Sequence, residues 1–122
     1  MCVDAGKWKR FRGASKVHVG NGFAHLMSYE TPICDFYDVG FASSDYERGV
    51  YHNPALPPLI NGEPTLWITN KACNYSNTTC RHLSLFLSHF CRSLTYYDVK
   101  TFLRDAACGE IKMINGVWIV CI

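Results

Sequence analysis

Residues 74–90 read NYSNTTCRHLSLFLSHF and decide the fold, because a polar segment in them runs directly into a strongly apolar one. Ser, Thr and Asn side chains accept hydrogen bonds from the unpaired amides of a first helical turn, so the polar segment predicts a helix start capped by Ser76, Thr78 and Thr79. The stretch predicts a helix over about residues 78–92. Apolar side chains follow with the i, i+3, i+4, i+7 spacing of a buried helix face: Leu83, Phe86, Leu87 and Phe90.

A second helix is predicted close behind the first, over about residues 96–107. Thr95 and Asp98 have the spacing of a capping box, in which each side chain bonds the backbone amide of the other residue. Gly109 then supplies a stop signal. Only a few residues separate the two helices, so we expect them to pack as an antiparallel-like pair.

Strands are predicted on both sides of the helices. Asn21-Gly22 is a tight-turn dipeptide between two apolar segments, and Asn115-Gly116 is the strongest two-residue hairpin signal. The strands are expected at residues 15–19, 23–29, 33–39, 65–69, 110–114 and 117–122. Strands, two helices and a final hairpin in this order predict an α+β domain: an antiparallel sheet with two helices packed on one face and a C-terminal hairpin.

The composition is that of one globular domain. The chain has 122 residues, of which 48% are hydrophobic and 18% charged, so it can form a core and is not of the disordered class. We interpret residues 1–14 as a basic arm and residues 15–122 as a single domain. The net charge of +2 is too small to imply nucleic-acid or membrane binding by itself. No apolar run approaches the roughly 20 residues of a membrane span, so no membrane contact is expected.

The middle of the chain has the pattern of a surface loop. Residues 53–58 read NPALPP, and prolines cannot donate backbone hydrogen bonds to a central strand. The acidic residues from Asp35 to Glu47 are likewise expected in solvated positions. Asp35 and Asp38 would lie on opposite faces of a strand and make a poor acid–base pair.

Seven cysteines raise the question of metal or thiol chemistry. The nearest group of soft ligands is Cys73, Cys80, His82, His89 and Cys91. It lacks the two close pairs that zinc sites usually have. Cys80 is at a helix start, where a thiolate is favoured, but His82 is two residues away on the helix and points elsewhere. A catalytic partner would have to be His18, His25 or His52. We therefore expect reduced, buried cysteines, with no metal and no other cofactor.

Two basic segments offer contacts to a partner. Trp8, Arg10 and Arg12 lie in the N-terminal arm, which could contact phosphates and stack on bases. A solvated terminus explains the same pattern. Arg81 follows the hydroxyl-rich helix start and could help to hold an anion there, although plain capping accounts for those hydroxyls.

Two segments together resemble a known group of proteins. Residues 28–33 (SYETPI) are similar to a Ser-Tyr-x-Thr-Pro-Val/Ile element, and residues 75–83 (YSNTTCRHL) to a Tyr-Ser-x-Thr-Thr-x-Arg/Lys-His-Ile/Leu element. In this order they resemble small tailed-phage and prophage proteins that have no assigned function. The resemblance implies a phage-type protein in the host bacterial cytoplasm and carries over no catalytic site. If the elements recur for structural reasons, Tyr29 and Thr31 lie beside the helix cap, and His82 bonds across to their strand.

The resulting expectation is a non-enzymatic binding protein. The leading hypothesis, by analogy with other small phage proteins, is an anti-CRISPR-like inhibitor of a bacterial defence system that blocks a nucleic-acid or partner surface. Its partner would be a host defence protein or a ribonucleoprotein complex. The predicted contact residues are Trp8, Arg10, Arg12, Tyr46, Tyr51, His52 and Arg81. The alternatives are a nucleic-acid-binding accessory protein that uses the basic arm, and a small metal or thiol enzyme. A homodimer through the doubly apolar last strand is also possible.

Overall fold

The computed structural model describes residues 8–39, 49–53 and 55–122, which contain one seven-stranded sheet and two helices. The strand order is β1-β2-β3-β4-β5-β7-β6, and neighbours are antiparallel except β5 and β7, whose connection contains both helices. The predicted α+β class and C-terminal hairpin are confirmed. The elements are β1 (Lys9–Arg10), β2 (Ser15–Gly20), β3 (Phe23–Ser28), β4 (Thr31–Tyr37), β5 (Thr65–Ile68), α1 (Asn77–Phe90), α2 (Tyr96–Asp105), β6 (Ile111–Ile114) and β7 (Val117–Cys121).

Both helices begin beside their predicted capping residues. Ser76 is the N-cap of α1, and its Oγ accepts a hydrogen bond from the Thr79 amide at 3.1 Å. Thr95 caps α2 in a complete capping box, in which the Asp98 carboxylate accepts from the Thr95 amide at 3.0 Å. Such caps satisfy amides that the first turn leaves unpaired, and each contributes about 1 kcal/mol.

The helices cover one face of the sheet and form the larger apolar core with it. Leu83, Phe86 and Leu87 of α1 are at most 1% exposed, on the stripe that the sequence predicts. Strand residues that alternate along the chain complete this core, because successive side chains face opposite sides of a sheet. β7 lies inside the sheet between β5 and β6, in agreement with its apolar sequence.

The opposite face of the sheet carries a second, smaller core. Phe23, Tyr37, Trp67 and Val120 are each at most 6% exposed, and residues of the loop before β5 pack against them. Trp67 Nε1 donates to the Pro58 carbonyl at 3.1 Å, so the proline-rich segment is fixed to the sheet.

One tight turn has an unusual sequence for its conformation. Asn61-Gly62 and Asn115-Gly116 have positive φ at both residues, which is the type I′ geometry that Asn-Gly favours. The β3–β4 turn has the same signs at Tyr29 (φ 50°) and Glu30 (φ 67°). Side chains with a Cβ cost about 1–2 kcal/mol each in this region. The chain therefore has a strained Tyr-Glu pair at the β3–β4 turn, whereas two other turns with the same φ signs have Asn-Gly.

The N-terminal segment and Asp35 differ from the sequence expectation. We interpret residues 1–14 from the sequence as a basic arm. Lys9–Arg10 pair with β2, so this part of the segment belongs to the sheet. Residues 1–7 lie outside the described chain. The expectation that Asp35 is solvated is wrong. Asp35 is in the middle of β4 and only 2% exposed, because the following loop covers it, whereas Asp38 is exposed.

Candidate functional site

The segments at residues 28–33 and 75–83 meet in space. Ser28, at the end of β3, has its Oγ 2.8 Å from His82 Nδ1 and 3.1 Å from Thr79 Oγ1 on α1. The Tyr29 ring lies next to the His82 ring, with centroids 5.9 Å apart. The predicted bond from His82 to the early strand is therefore present, and Ser28 provides it. Burial of the imidazole lowers the pKa of His82, so the ring is neutral near pH 7.

A cavity of about 450 Å³ opens between α1 and the β1–β2 turn, directly beside this cluster. Thr78, His82 and Leu85 line it from one face of α1, with Arg81 beside them. Arg12 and Gly13 close the other side. No carboxylate is present among the described residues that line the cavity, so its charged groups are both cations.

A second cavity, of about 420 Å³, lies on the other side of the β1–β2 turn. Arg10, Lys16 and Tyr29 line it, and it shares Gly13 with the first cavity. Lys16 Nζ is 2.9 Å from Glu30 Oε1 in an exposed pair, which contributes little to stability. Four cations, one aromatic ring and the carboxylate of Glu30 thus surround a single turn. We call Arg10, Arg12, Lys16, Tyr29 and Arg81 the basic surface.

Gly13 lies in the β1–β2 turn next to the imidazole of His82. Its φ is +55°, a conformation that favours glycine, and a Cβ placed there would lie 3.7 Å from His82 Nε2. Arg10 Nε donates to the Gly13 carbonyl at 3.1 Å, which ties the guanidinium of Arg10 to the turn. The turn is therefore a defined wall of both cavities.

The structure places the predicted contact residues in two groups. Arg10, Arg12 and Arg81 lie together on the basic surface. Tyr51 and His52 lie instead on the opposite face of the sheet, where Tyr51 donates from its hydroxyl to the Pro32 carbonyl at 2.6 Å.

Burial limits what the second group can offer to a partner. His52 is 5% exposed, and its Nε2 lies 2.6 Å from the Leu56 carbonyl. Trp8 is half-buried against His18, with ring centroids 5.8 Å apart. Tyr46 lies outside the described residues, so its predicted contact stays a prediction.

The sequence analysis missed a buried polar row on the second face. His18, His25 and Asp35 are adjacent across β2, β3 and β4. His25 Nδ1 lies 3.1 Å from Asp35 Oδ1, and both side chains are 3% exposed. Asp35 Oδ2 also accepts from the Tyr51 amide at 2.5 Å. Gly49 lies against the same carboxylate so closely that a Cβ would overlap it. This row holds the loop on the sheet, and its burial keeps it from acting on a ligand in solution.

The cysteines and histidines of the described ranges do not assemble into a metal site. No group of three or more His, Cys, Asp or Glu side chains there could hold a metal ion. Cys80 Sγ lies 3.8 Å from the Cys73 carbonyl, while His18 and His25 are on the far side of the sheet. Burial raises the pKa of Cys34 well above its usual value and that of Cys91 to about 12.

No helix in the described part of the chain is both long and apolar enough to cross a membrane. Comparisons with models of protein families, with curated proteins and with solved structures find no significant match. The geometry of the basic surface is therefore the available guide to function.

Proposed function

We propose that this protein is a non-enzymatic nucleic-acid-binding protein that holds a single strand on its basic surface. The observation that carries the proposal is the convergence of Arg10, Arg12, Lys16 and Arg81 around one turn, although the whole chain has a net charge of only +2. Clustered cations attract phosphates by releasing counterions from the strand, and this attraction depends on local rather than net charge.

Tyr29 supports a single strand over a duplex. Its side chain is 54% exposed beside Lys16 and Arg10, where an unstacked base can lie on its ring. Aromatic rings next to a positively charged groove are typical of proteins that bind single strands, with about 1–3 kcal/mol for each stacked base. The strained φ of Tyr29 and Glu30 fits this role, because strain tends to persist where function requires a particular side-chain position.

The resemblance to phage proteins gives the proposal its biological setting. A small protein that covers a guide or target strand would inhibit a ribonucleoprotein of a bacterial defence system without any catalytic step. We place this action in the host bacterial cytoplasm. The proposal keeps the anti-CRISPR-like hypothesis and assigns its contact to the nucleic acid of the complex.

Fluorescence anisotropy with labelled single-stranded oligonucleotides, measured over a range of salt concentrations, tests the proposal. Each phosphate contact to a single strand changes the slope of log K against log salt by about −0.7, so four cations predict a slope of about −2 to −3. Arg12→Ala and Arg81→Ala should each weaken binding and make the slope shallower by about 0.7.

Arg92→Ala is the matched control. Arg92 is exposed beyond the C-terminal end of α1, so this substitution removes the same charge at a place away from the basic surface. It should leave both affinity and slope close to those of the original protein. Absence of binding, a slope near zero, or an equal loss with Arg92→Ala would overturn the proposal.

A further inference from the structure

The cavity between Arg12, Arg81 and His82 has the donors of an anion site, and we infer that it is a phosphate-binding site in which His82 Nε2–H is a neutral donor. The inference deepens the proposed function. It rests on the proposed function only for the source of the phosphate. The site itself rests on three observations on the described residues: the orientation of the imidazole, the bond from its Nδ1 to Ser28 and the unpaired guanidinium groups.

The imidazole directs one nitrogen into the protein and the other toward the cavity. His82 is 3% exposed, and its Nδ1 is bonded to Ser28 Oγ. Its Nε2 makes no hydrogen bond within the described chain and faces Gly13 of the cavity wall. Nε2 is not among the fully buried polar atoms, so it stays accessible from the cavity although the residue as a whole is buried. A ligand in the cavity can therefore bond to Nε2.

A chain of hydroxyl groups leads from the helix cap to the imidazole. Ser76 Oγ accepts from the Thr79 amide and donates to Thr79 Oγ1 at 3.2 Å. Each hydroxyl has one proton to donate, and we assign the Thr79 proton to the bond with Ser28 Oγ and the Ser28 proton to the bond with His82 Nδ1. In this arrangement Nδ1 is the acceptor, and the proton of the neutral ring is on Nε2.

Two cations complete the donor set. Neither Arg12 nor Arg81 makes an ion pair or a side-chain hydrogen bond with any residue that the structure describes. Guanidinium groups present several N–H donors in a plane that matches phosphate oxygens. Two positive charges and a neutral N–H donor suit a tetrahedral dianion with several acceptor oxygens better than a single carboxylate.

The same geometry argues against nucleophilic catalysis by the Ser28–His82 pair. Ser28 is 1% exposed, and its hydroxyl bonds to Nδ1, the nitrogen on the protein side of the ring. A nucleophile must be within reach of the substrate. Here only Nε2 faces the cavity, so Ser28 is a positioning residue that orients His82.

Nitrogen-15 NMR of the histidine side chains, with inorganic phosphate as the probe, tests the inference directly. Before phosphate is added, His82 should show the Nε2–H tautomer. Phosphate should then shift the His82 Nε2 resonance and saturate. Arg12→Ala and Arg81→Ala should each raise the phosphate Kd about tenfold or more, as expected for a lost charge-assisted hydrogen bond. Arg92→Ala should leave the Kd unchanged.

Ser28→Ala separates positioning from contact. It should produce a mixture of the two tautomers and weaken phosphate binding, although residue 28 does not line the cavity. A proton on Nδ1 in the original protein, or no response of His82 to tens of millimolar phosphate, would overturn the inference. An equal response in Arg92→Ala and Arg81→Ala would also overturn it.

Oligonucleotides with and without a 5′-phosphate distinguish the two sources of phosphate. A preference for the phosphorylated end assigns the cavity to a terminal phosphate, and equal binding with the same His82 shift assigns it to a phosphate within the strand. If oligonucleotides bind without shifting His82, the phosphate site is wrong and the proposed function stands. If inorganic phosphate binds and no oligonucleotide does, the site stands and the proposed function fails.

Discussion

Ser28 Oγ and His82 Nδ1 are 2.8 Å apart although 54 residues separate them in the sequence. The bond joins the end of β3 to α1, and it joins the segments at residues 28–33 and 75–83. It also turns His82 Nε2 toward the cavity between Arg12 and Arg81. One contact therefore stabilises the domain and orients the proposed binding group.

Removing the Ser28 hydroxyl should destabilise the protein. Ser28→Ala leaves the Nδ1 of His82 without its hydrogen-bond partner, and an unsatisfied buried polar atom costs about 1–3 kcal/mol. For a domain of this size we expect a fall in Tm of about 4 °C for each kcal/mol. Urea unfolding and thermal unfolding would measure the change.

Ser88→Ala is the control for this substitution. Ser88 is also on α1, but it is exposed and its hydroxyl bonds only to the Leu85 carbonyl. Its loss should change the free energy of unfolding by less than about 0.5 kcal/mol. Equal effects of Ser28→Ala and Ser88→Ala would show that the Ser28–His82 bond adds no stability.

The β3–β4 turn should become more stable when its residues are replaced by Asn-Gly. The double variant Tyr29→Asn, Glu30→Gly reduces the strain of two positive φ angles, and we expect a gain of about 1 kcal/mol after loss of the exposed Lys16–Glu30 pair. The single variant Tyr29→Asn keeps the charges of the surface and should bind single-stranded oligonucleotides more weakly, because it lacks the exposed ring. Unchanged binding by Tyr29→Asn would contradict the role assigned to Tyr29.

The contribution of His82 to stability should depend on pH in a defined direction. An unfolded histidine has a pKa of about 6.5, and burial lowers the pKa of His82 in the folded protein. The unfolded chain then binds a proton more readily, so this contribution is complete above about pH 6.5 and is lost as the pH falls through the lowered pKa.

Urea unfolding at pH 5 and pH 7, on the original protein and on His82→Gln, would measure this dependence. The other four histidines are common to both proteins, so the difference between them isolates His82. The original protein should lose more stability than the variant between pH 7 and pH 5. Parallel losses would show that His82 has the same pKa in the folded and unfolded states.

The cysteines should differ sharply in their reaction with iodoacetamide at pH 8. The thiolate is the reactive species, and burial raises the pKa of Cys34 well above its usual value and that of Cys91 to about 12. Cys108 is exposed and should react first among the described cysteines. Mass spectrometry of peptides would identify the modified residues. Rapid modification of Cys34 or Cys91 would contradict the raised pKa values and would support the thiol-enzyme alternative.

The helices could be predicted from sequence because their signals are local. The Thr95–Asp98 capping box and the apolar stripe of α1 depend only on residues within a few turns of one another. The pairing of His18 with His25 could also be predicted, because the two residues are equally far along the chain from the turn at Asn21-Gly22.

The rest depends on contacts between distant parts of the chain. The acidic pattern around Asp35 is typical of a surface loop, and only the placement of Gly49 and Tyr51 over β4 buries it. Tyr29-Glu30 carries no turn signal, so its positive φ angles could not be predicted. The cavity requires the β1–β2 turn to pack against the side of α1, which no local pattern encodes.

The most direct test of the basic surface is a titration of the nitrogen-15-labelled protein with a single-stranded oligonucleotide, followed by backbone amide NMR. The account predicts shifts at Gly13, Tyr29 and Arg81, around the two cavities that share the β1–β2 turn. Shifts centred instead on Lys100 and Arg104 of α2, or no shifts at all at millimolar strand concentrations, would contradict it.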